Sequence, residues 1–297
     1  MLTNLKYSLR LFGMGWVLAR HGALFGLEAL HISPISLWFL RRIARPHKGK
    51  RRGERLAAAL TAIGPTFIKA GQALSTRADL IGEDIAQDLT ELQDNVPPFS
   101  SKLARWMVEE QLDAPIENHF TQFDEHPIAA ASIAQVHFAV PKDGRDVAVK
   151  ILRPNIERAF QRDIDLMFWI ARIVERRLPQ YRRLKPVKVV ETFAETIRIE
   201  LDLRFEAAAA EELRLNTNND ADFYVPTVDW ELTRRRVLVT ERLRGISAGD
   251  IEGLKAAGLN LDKIMESAAK SFFNQVFRDG FFHADMHPGN LFVLPDG

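Results

Sequence analysis

The residues best suited to carry chemistry lie close together near the end of this 297-residue chain. The run His283-Ala284-Asp285-Met286-His287-Pro288-Gly289-Asn290 has the form H-x-D-x-x-x-x-N. An aspartate in such a loop can orient or deprotonate an attacking oxygen, and an asparagine amide oxygen can bind Mg²⁺. We therefore predict a loop in which the side-chain oxygens of Asp285 and Asn290 suit a hard cation.

The two histidines of this loop offer an alternative interpretation as a zinc pair. His283 and His287 are four residues apart, which is the spacing of H-E-x-x-H on a helix. A helix is disfavoured directly before Pro288, however, and no glutamate stands in the general-base position. The sequence thus favours a structural role for His283 over zinc binding.

A second candidate group is a lysine in a predicted β-hairpin. Residues 128–140 and 146–152 have strand-like patterns on either side of the turn Pro141-Lys142-Asp143-Gly144. Alternation along the second strand sets the ammonium group of Lys150 among apolar neighbours. A lysine in that setting needs an anionic partner.

The segment before this lysine is rich in small residues. Ala129, Ala131, Ala134 and Val136 stand at the spacing of G-x-G-x-x-G-x-V, and Val147-Ala148-Val149-Lys150 matches V-A-I-K of protein kinases. Small side chains let backbone amides approach phosphate oxygens, although alanine permits fewer backbone conformations than glycine. The alanine-rich loop alone is weak evidence, but the pair of motifs predicts a site for nucleotide phosphates.

A carboxylate that could hold Lys150 is Glu206, in a helical region predicted over about 187–216. It shares a stripe with Leu203, Ala210 and Leu213. A buried carboxylate without a partner is costly, so a cation such as Lys150 is the economical explanation. A glutamate on a solvated helix rim is the ordinary alternative.

An earlier helix, predicted over Thr66–Arg77 after Gly64 and Pro65, carries two polar residues on one face. Lys69 and Gln72 are three residues apart, so both can point at one ligand or groove. Two polar residues on a helix are usually just solvated. The residues expected to pack are Phe67, Ala70, Gly71 and Leu74.

Composition excludes several classes of function. Forty basic and 39 acidic side chains leave a net charge of +1, which excludes an overall nucleic-acid-type charge. The absence of cysteine excludes disulfides, thiolate metal sites and cysteine nucleophiles. The apolar stretch Leu11–Ala19 is too short for a membrane span and too basic beyond it for a cleaved signal peptide, so we expect neither.

The N-terminal region combines apolar and basic side chains. Residues 41–55 contain eight Lys or Arg and one acid, Glu54. Helical packing followed by a solvated linker is the simplest interpretation, contact with anionic lipid is the second, and RNA binding is a distant third. The helix that would lie on a membrane carries Leu11, Phe12, Trp16, Leu18, Leu24, Phe25 and Leu27 beside Lys6, Arg10 and Arg20.

Breaks in these patterns predict four regions: an amphipathic and basic region over 1–55, a helical extension over 56–125, a strand-rich lobe with a helical insertion over 126–244, and a region over 245–297 that holds the H-x-D loop. Further elements are expected as helices over 102–111 and 262–278 and strands over 236–241 and 291–294. The later helix is expected to pack Ile264, Ala268, Phe272, Val276 and Phe277.

Taken in order, four motifs resemble the UbiB family of atypical kinase-like proteins, which act in ubiquinone biosynthesis. They are Lys69-Ala70-Gly71-Gln72, the alanine-rich loop, Glu200-Leu201-Asp202 followed by Glu206, and the H-x-D loop. The likeness runs from about Leu56 to the last residue. Four motifs in the same order are far more specific than any one of them.

The resemblance implies an α+β, protein-kinase-like fold with a helical N-terminal extension, and ATP and Mg²⁺ as cofactors. It implies that Lys150 contacts ATP phosphates, that Asp285 is catalytic together with Lys150, and that Asn290 is a metal ligand. The implied nucleotide-binding residues are Ala129, Ala130, Ala131, Ser132, Ala134, Val136, Ala148, Lys150, Glu206 and Glu241.

The K-x-G-Q helix of the family covers the place where a peptide substrate would sit. Lys69 and Gln72 match that motif, and Glu200 and Asp202 match its E-x-D partner, so these four are implied to be regulatory. The resemblance therefore favours ATP hydrolysis over phosphorylation of other proteins. Implied partners are ATP, prenylated ubiquinone precursors, ubiquinone-biosynthesis enzymes and, through the N-terminal region, the cytoplasmic face of the inner membrane, with no nucleic acid.

The chain ends at Pro295-Asp296-Gly297, a turn signal after the strand predicted over 291–294. The returning strand of a hairpin and the D-F-G aspartate are missing. We therefore expect a fragment with an incomplete C-terminal lobe and an unpaired strand edge. A catalytically incomplete nucleotide- or lipid-binding regulator, or a scaffold for the ubiquinone enzymes, is the alternative to an ATP-dependent enzyme.

Overall fold

The alternating segments form an antiparallel sheet in the structure, a computed structural model that describes residues 2–25, 50–90, 92, 96–284, 286 and 290–295. The strands follow the order β1-β3-β4-β5, and β2 pairs with β3. A separate small sheet joins β6 and β7. The strands are β1 (Phe120–Phe123), β2 (Ala129–Ala130), β3 (Ala134–Pro141), β4 (Val147–Leu152), β5 (Val237–Glu241), β6 (Ile246–Ser247) and β7 (Phe292–Val293).

Helices account for most of the remaining regular structure. In chain order they are α1 (Leu2–Arg20), α2 (Arg52–Ile63), α3 (Pro65–Ser75), α4 (Ala78–Ile81), α5 (Glu83–Thr90), α6 (Ser101–Leu112), α7 (Ile116–His119), α8 (Ile156–Arg177), α9 (Pro186–Glu200), α10 (Leu203–Asn216), α11 (Ile251–Ala256) and α12 (Leu261–Phe273). A 3₁₀ segment, Pro179–Leu184, precedes α9, and a π-helical segment, Asn274–Asp279, extends α12.

The residues group into two units. The first comprises Met1–Pro97, Ala130–Ile133 and Asn155–Ile197, and the second comprises Pro98–Ala129, Ala134–Pro154 and Arg198–Gly297. The second unit contains the hairpin of β3 and β4, whose inner face packs on α6. That core consists of Ala104, Met107, Val108, Leu112, Ile116, Phe120, Ala139, Val147, Val149, Ile151, Leu232, Val237 and Val239.

In the first unit, α3 begins as its sequence predicts. Gly64 has φ +135°, a conformation that favours glycine, and Pro65 takes the first helical position. The apolar faces of α2, α3 and α5 meet around Ile68, Leu89 and Leu92. The buried carboxylate of Asp163 on α8 accepts hydrogen bonds from Arg10 of α1 and Thr66 of α3, so it ties three helices together.

Three expectations about local structure need correction. The strand expected over 128–140 is interrupted after β2. The helical region expected over 187–216 breaks at Leu201-Asp202, because Asp202 caps a new helix. Strand β7 pairs with β6 along one edge, and the missing returning strand stays a prediction. On α12 and its extension, Phe272 and Phe277 are exposed instead of packed, and Ser271 and Gln275 are buried in their place.

Candidate nucleotide site

The two faces of the hairpin strand β4 differ in exposure. Val147, Val149 and Ile151 are completely or almost completely buried, because α6 covers their face. Ala148 and Lys150 point to the other face and are only half-buried. Strand alternation therefore places the lysine on an open face above an apolar sheet.

The ammonium group of Lys150 forms an ion pair with Glu206. Its Nζ atom lies 2.7 Å from Oε1 and 2.8 Å from Oε2 of the glutamate. Val136 on one side and Leu238 on the other are its register partners across the sheet. The anionic partner that the sequence requires for this lysine is thus present, and it is the predicted one.

The start of α10 determines where Glu206 lies. The amide of Leu203 donates to the carbonyl of Arg235, 2.9 Å away, which joins the helix to the segment before β5. Asp202 is the N-cap residue and accepts from the amide of Arg204. The Arg204 guanidinium also binds this carboxylate and lowers the pKa of Asp202. Asp202 therefore stabilises the first turn of the helix that carries Glu206.

The alanine-rich segment passes from exposed to buried positions. Ala129 is exposed, Ala130 and Ala131 are half-buried, and Ser132 is fully buried. Ala134 begins β3, and Val136 is the direct register partner of Lys150. Because 130–133 belong to the first unit and Lys150 to the second, the role of this loop toward phosphate stays a prediction.

Glu241, at the end of β5, uses its side chain within the protein. Its Oε2 atom accepts hydrogen bonds from the hydroxyl of Tyr224 at 2.5 Å and from the amide and hydroxyl of Thr227 at 3.3 and 3.2 Å. This bond to the carboxylate raises the pKa of Tyr224 to about 12. The Oε2 atom of Glu241 is thus engaged within the protein, and a contact of Glu241 with a nucleotide stays a prediction.

The four residues predicted to be regulatory fall into different units. Lys69 and Gln72 lie half-buried on α3 of the first unit, where the Gln72 amide donates to the carbonyl of Leu92 at 3.3 Å. Glu200, which ends α9, and the cap Asp202 belong to the second. A pairing between the two motifs stays a prediction.

The H-x-D loop is only partly described. Asp285 and His287 lie outside the described residues, whereas Asn290 is described and exposed. At the start of the loop, the main-chain amide of His283 donates to Oε1 of the buried Gln275 at 3.0 Å. Among the described residues, no cluster of three His, Cys, Asp or Glu side chains could hold a metal ion. The metal role of Asn290 stays a prediction.

Sequence reasoning missed three residues on the open face. Phe138 and Thr240 are the register partners of Ala148, so they share the face of Lys150. The guanidinium carbon of Arg242 lies 3.5 Å from the centre of the Phe138 ring, which fits a cation–π contact. The same alternation that placed Lys150 could have found Phe138 and Thr240, but nothing local in the sequence brings Arg242 over the ring.

Comparisons with known proteins agree with this geometry. The chain is 45% identical over 287 residues to a probable protein kinase UbiB of Marinobacter nauticus, covering 96% of the chain and 52% of the relative. It is 49% identical over 262 residues to the protein of that name in Vibrio cholerae, covering 88% and 48%. The chain thus spans about half the length of the curated relatives it matches.

A solved structure shares the architecture. The complex of Rv3197 with erythromycin from Mycobacterium tuberculosis matches 78% of this chain and 58% of its own, with a TM-score of 0.58 and 29% sequence identity. The expected kinase-like fold and the resemblance to UbiB proteins are therefore confirmed. Because the ABC1 atypical kinase-like domain matches residues 91–297, the chain belongs to the ABC1 atypical kinase-like family.

Proposed function

We propose that this protein binds ATP with Mg²⁺ on the open face of its sheet and uses it as an atypical kinase or ATPase that supports ubiquinone biosynthesis. The observation that carries the proposal is the Lys150–Glu206 ion pair, with Nζ–Oε distances of 2.7 and 2.8 Å, in a chain of kinase-like fold. The similarity to proteins named UbiB supports the biosynthetic context.

The residues of the open face suit this cofactor. Lys150 offers a cation for phosphate oxygens, and Glu206 holds its ammonium group in place. Ala148 is small and Val136 is apolar, so the face beside the lysine suits a flat base, with the Phe138 ring next to them covered by Arg242. When bound, Mg-ATP supplies the phosphoryl group, with Asp285 as the residue that orients or deprotonates the acceptor oxygen and Asn290 as a metal ligand.

Two variants test this assignment. We expect Lys150→Met to lower the affinity for a fluorescent ATP analogue at least about tenfold, and Asp285→Asn to preserve binding but lower Mg-ATP turnover about a hundredfold or more. Lys142→Met, an exposed lysine in the turn of the same hairpin, is the matched control. Unchanged turnover in Asp285→Asn would contradict an enzyme, and ATP binding without turnover in the wild type would favour the regulator.

We further propose that this activity is ATP hydrolysis rather than phosphorylation of other proteins, with Lys69, Gln72, Glu200 and Asp202 as regulatory residues. The support is the match of both motifs to the family pattern and the half-buried position of Lys69 and Gln72 on α3. Lys69→Ala would then raise transfer to the protein itself or to other proteins while hydrolysis falls. Phosphate release and radiolabel incorporation, measured in the same reaction, distinguish the two activities.

The membrane part of the proposal concerns α1. No described helix is both long and apolar enough to cross a membrane. The helix nevertheless exposes Leu5, Leu9, Phe12 and Trp16 along one side, flanked by the exposed cations Lys6 and Arg20. Apolar residues beside cations suit the headgroup region of anionic lipid at the cytoplasmic face of the inner membrane. Replacing Leu9 and Phe12 by Ser should abolish flotation with anionic vesicles, whereas Thr61→Ser, at an exposed position of α2, should not.

A further inference from the structure

A glutamine of the second unit is fully buried although its side chain is polar. Gln275 is 0% exposed and lies in the π-helical segment that follows α12. Its Nε2 atom donates to the hydroxyl of Ser271 at 3.0 Å, and its Oε1 atom accepts from the main-chain amide of His283 at 3.0 Å. Burying an amide is costly unless both ends find partners, so this side chain is fixed by its two hydrogen bonds.

The donor of that second bond, the main-chain amide of His283, matters because of where His283 lies. Residues 281–283 belong to no helix or strand, so no strand or helix ladder fixes this amide. The chain leaves the π-helical segment through Gly280, whose φ is +65°, and reaches His283 three residues later. His283 opens the H-x-D motif and stands two residues before Asp285.

The other end of the loop has an anchor of a different kind. Strand β7 pairs with β6, and the amide of Ala248 donates to the carbonyl of Leu291 at 2.9 Å. A Cβ atom on Gly245 would lie 2.7 Å from the carbonyl oxygen of Val293, so only glycine permits this close approach. A backbone ladder thus holds the exit of the loop, whereas the side chain of Gln275 bonds the main chain at its entry.

We propose that Gln275 is a positioning residue at the entry of the H-x-D loop: its side-chain carbonyl oxygen fixes the main chain at His283, which stands two residues before Asp285 in the sequence. The role in turnover rests on the proposed function, but the anchoring itself does not. The apolar pattern of the sequence does not point to this residue, because the buried positions Ser271 and Gln275, four residues apart on one face, are both polar.

Three variants in the full chain test the anchor. Gln275→Met keeps the size and removes the acceptor, Gln275→Asn keeps the amide but is one methylene too short, and Gln275→Glu keeps an oxygen acceptor in either protonation state. We expect hydrogen exchange at the His283 amide to become about tenfold faster in Gln275→Met and Gln275→Asn. In Gln275→Glu it should stay near the wild-type rate. ATP turnover should fall about tenfold or more in Gln275→Met and Gln275→Asn, with unchanged ATP affinity. Gln275→Glu should keep turnover near the wild-type value.

Gln135 provides a matched control. It is also buried, and its amide group also bonds a main chain, accepting from the Phe99 amide at 3.0 Å and donating to the Phe99 carbonyl at 3.3 Å. Gln135→Met should destabilise the fold similarly without changing exchange at His283. Three outcomes would each overturn the proposal. They are unchanged exchange at His283 in Gln275→Met and Gln275→Asn, faster exchange with unchanged turnover, and equal losses of turnover in Gln275→Glu and Gln275→Met. If turnover is insensitive to Asp285→Asn, the proposed function fails instead, and the exchange data still decide the anchor.

Discussion

The two faces of strand β4 illustrate how one stretch of six residues meets two different demands. On the face covered by α6, Val147, Val149 and Ile151 are at most 1% exposed and contribute to the core. On the open face, Lys150 is half-buried and its charge is balanced by a glutamate from another element. The covered face should therefore determine stability, and the open face should determine nucleotide binding, even though adjacent residues alternate between them.

The largest expected effect concerns the covered face. Ile151→Ala deletes a fully buried side chain and should lower the free energy of unfolding by about 2–5 kcal/mol, because it removes buried apolar surface and leaves a cavity. Urea unfolding measures this loss. The ATP affinity of the molecules that remain folded should stay unchanged. A large loss of affinity without a loss of stability would contradict the division of roles between the faces.

The open face should give the opposite result. Glu206→Gln removes the charge that holds Lys150 and should lower ATP turnover at least about tenfold. Stability should change by no more than about 1 kcal/mol, because the pair is partly exposed. Glu211→Gln, on the same helix and paired with Arg214, is the matched control and should leave turnover intact. Equal effects of the two variants would show that the ion pair with Lys150 has no special role.

Much of the division between the covered and the open face of β4 can be predicted from the sequence. Period-two alternation places Lys150 on one face and Val149 on the other, because it depends only on the geometry of a strand. The choice of Glu206 as its partner follows from a motif and from the cost of an unpaired charge. The sequence pattern does not predict the break between α9 and α10, since it indicates Asp202 as part of a motif rather than as a helix cap.

Long-range contacts set the limit of such reasoning. The sequence gives no local signal that Arg242 lies over Phe138, or that Gln275 bonds the main chain at His283. Both contacts depend on how separate elements pack. The packing predicted for α12 and its extension was wrong because the buried face carries the polar residues Ser271 and Gln275, whereas Phe277 is 80% exposed.

A smaller effect is expected at Asp202, the N-cap of the helix that carries Glu206. Asp202→Ala should cost about 1 kcal/mol of stability at neutral pH, as is typical for loss of an N-cap. Arg204 lowers the pKa of Asp202 below its ordinary 3.8, so the native state favours the charged form. The contribution is therefore present above about pH 4 and is lost as pH falls through the lowered pKa. Unfolding of wild type and variant should converge in acid, and a difference that persists would contradict the cap.

The smallest expected effect lies at the end of β5, where the side chain of Glu241 bonds Tyr224. Its hydroxyl donates to Glu241, which raises its pKa from 10.0 to about 12. Since the folded pKa exceeds the unfolded value, this bond stabilises the fold fully below about pH 10 and is lost as pH rises toward 12. Ultraviolet absorbance should show a tyrosine ionising near pH 12 in the wild type. That step should vanish in Tyr224→Phe and move toward pH 10 in Glu241→Gln. If Glu241→Gln left this step near pH 12, the carboxylate of Glu241 would not be the cause of the raised pKa of Tyr224. The bond between the two side chains would then be contradicted.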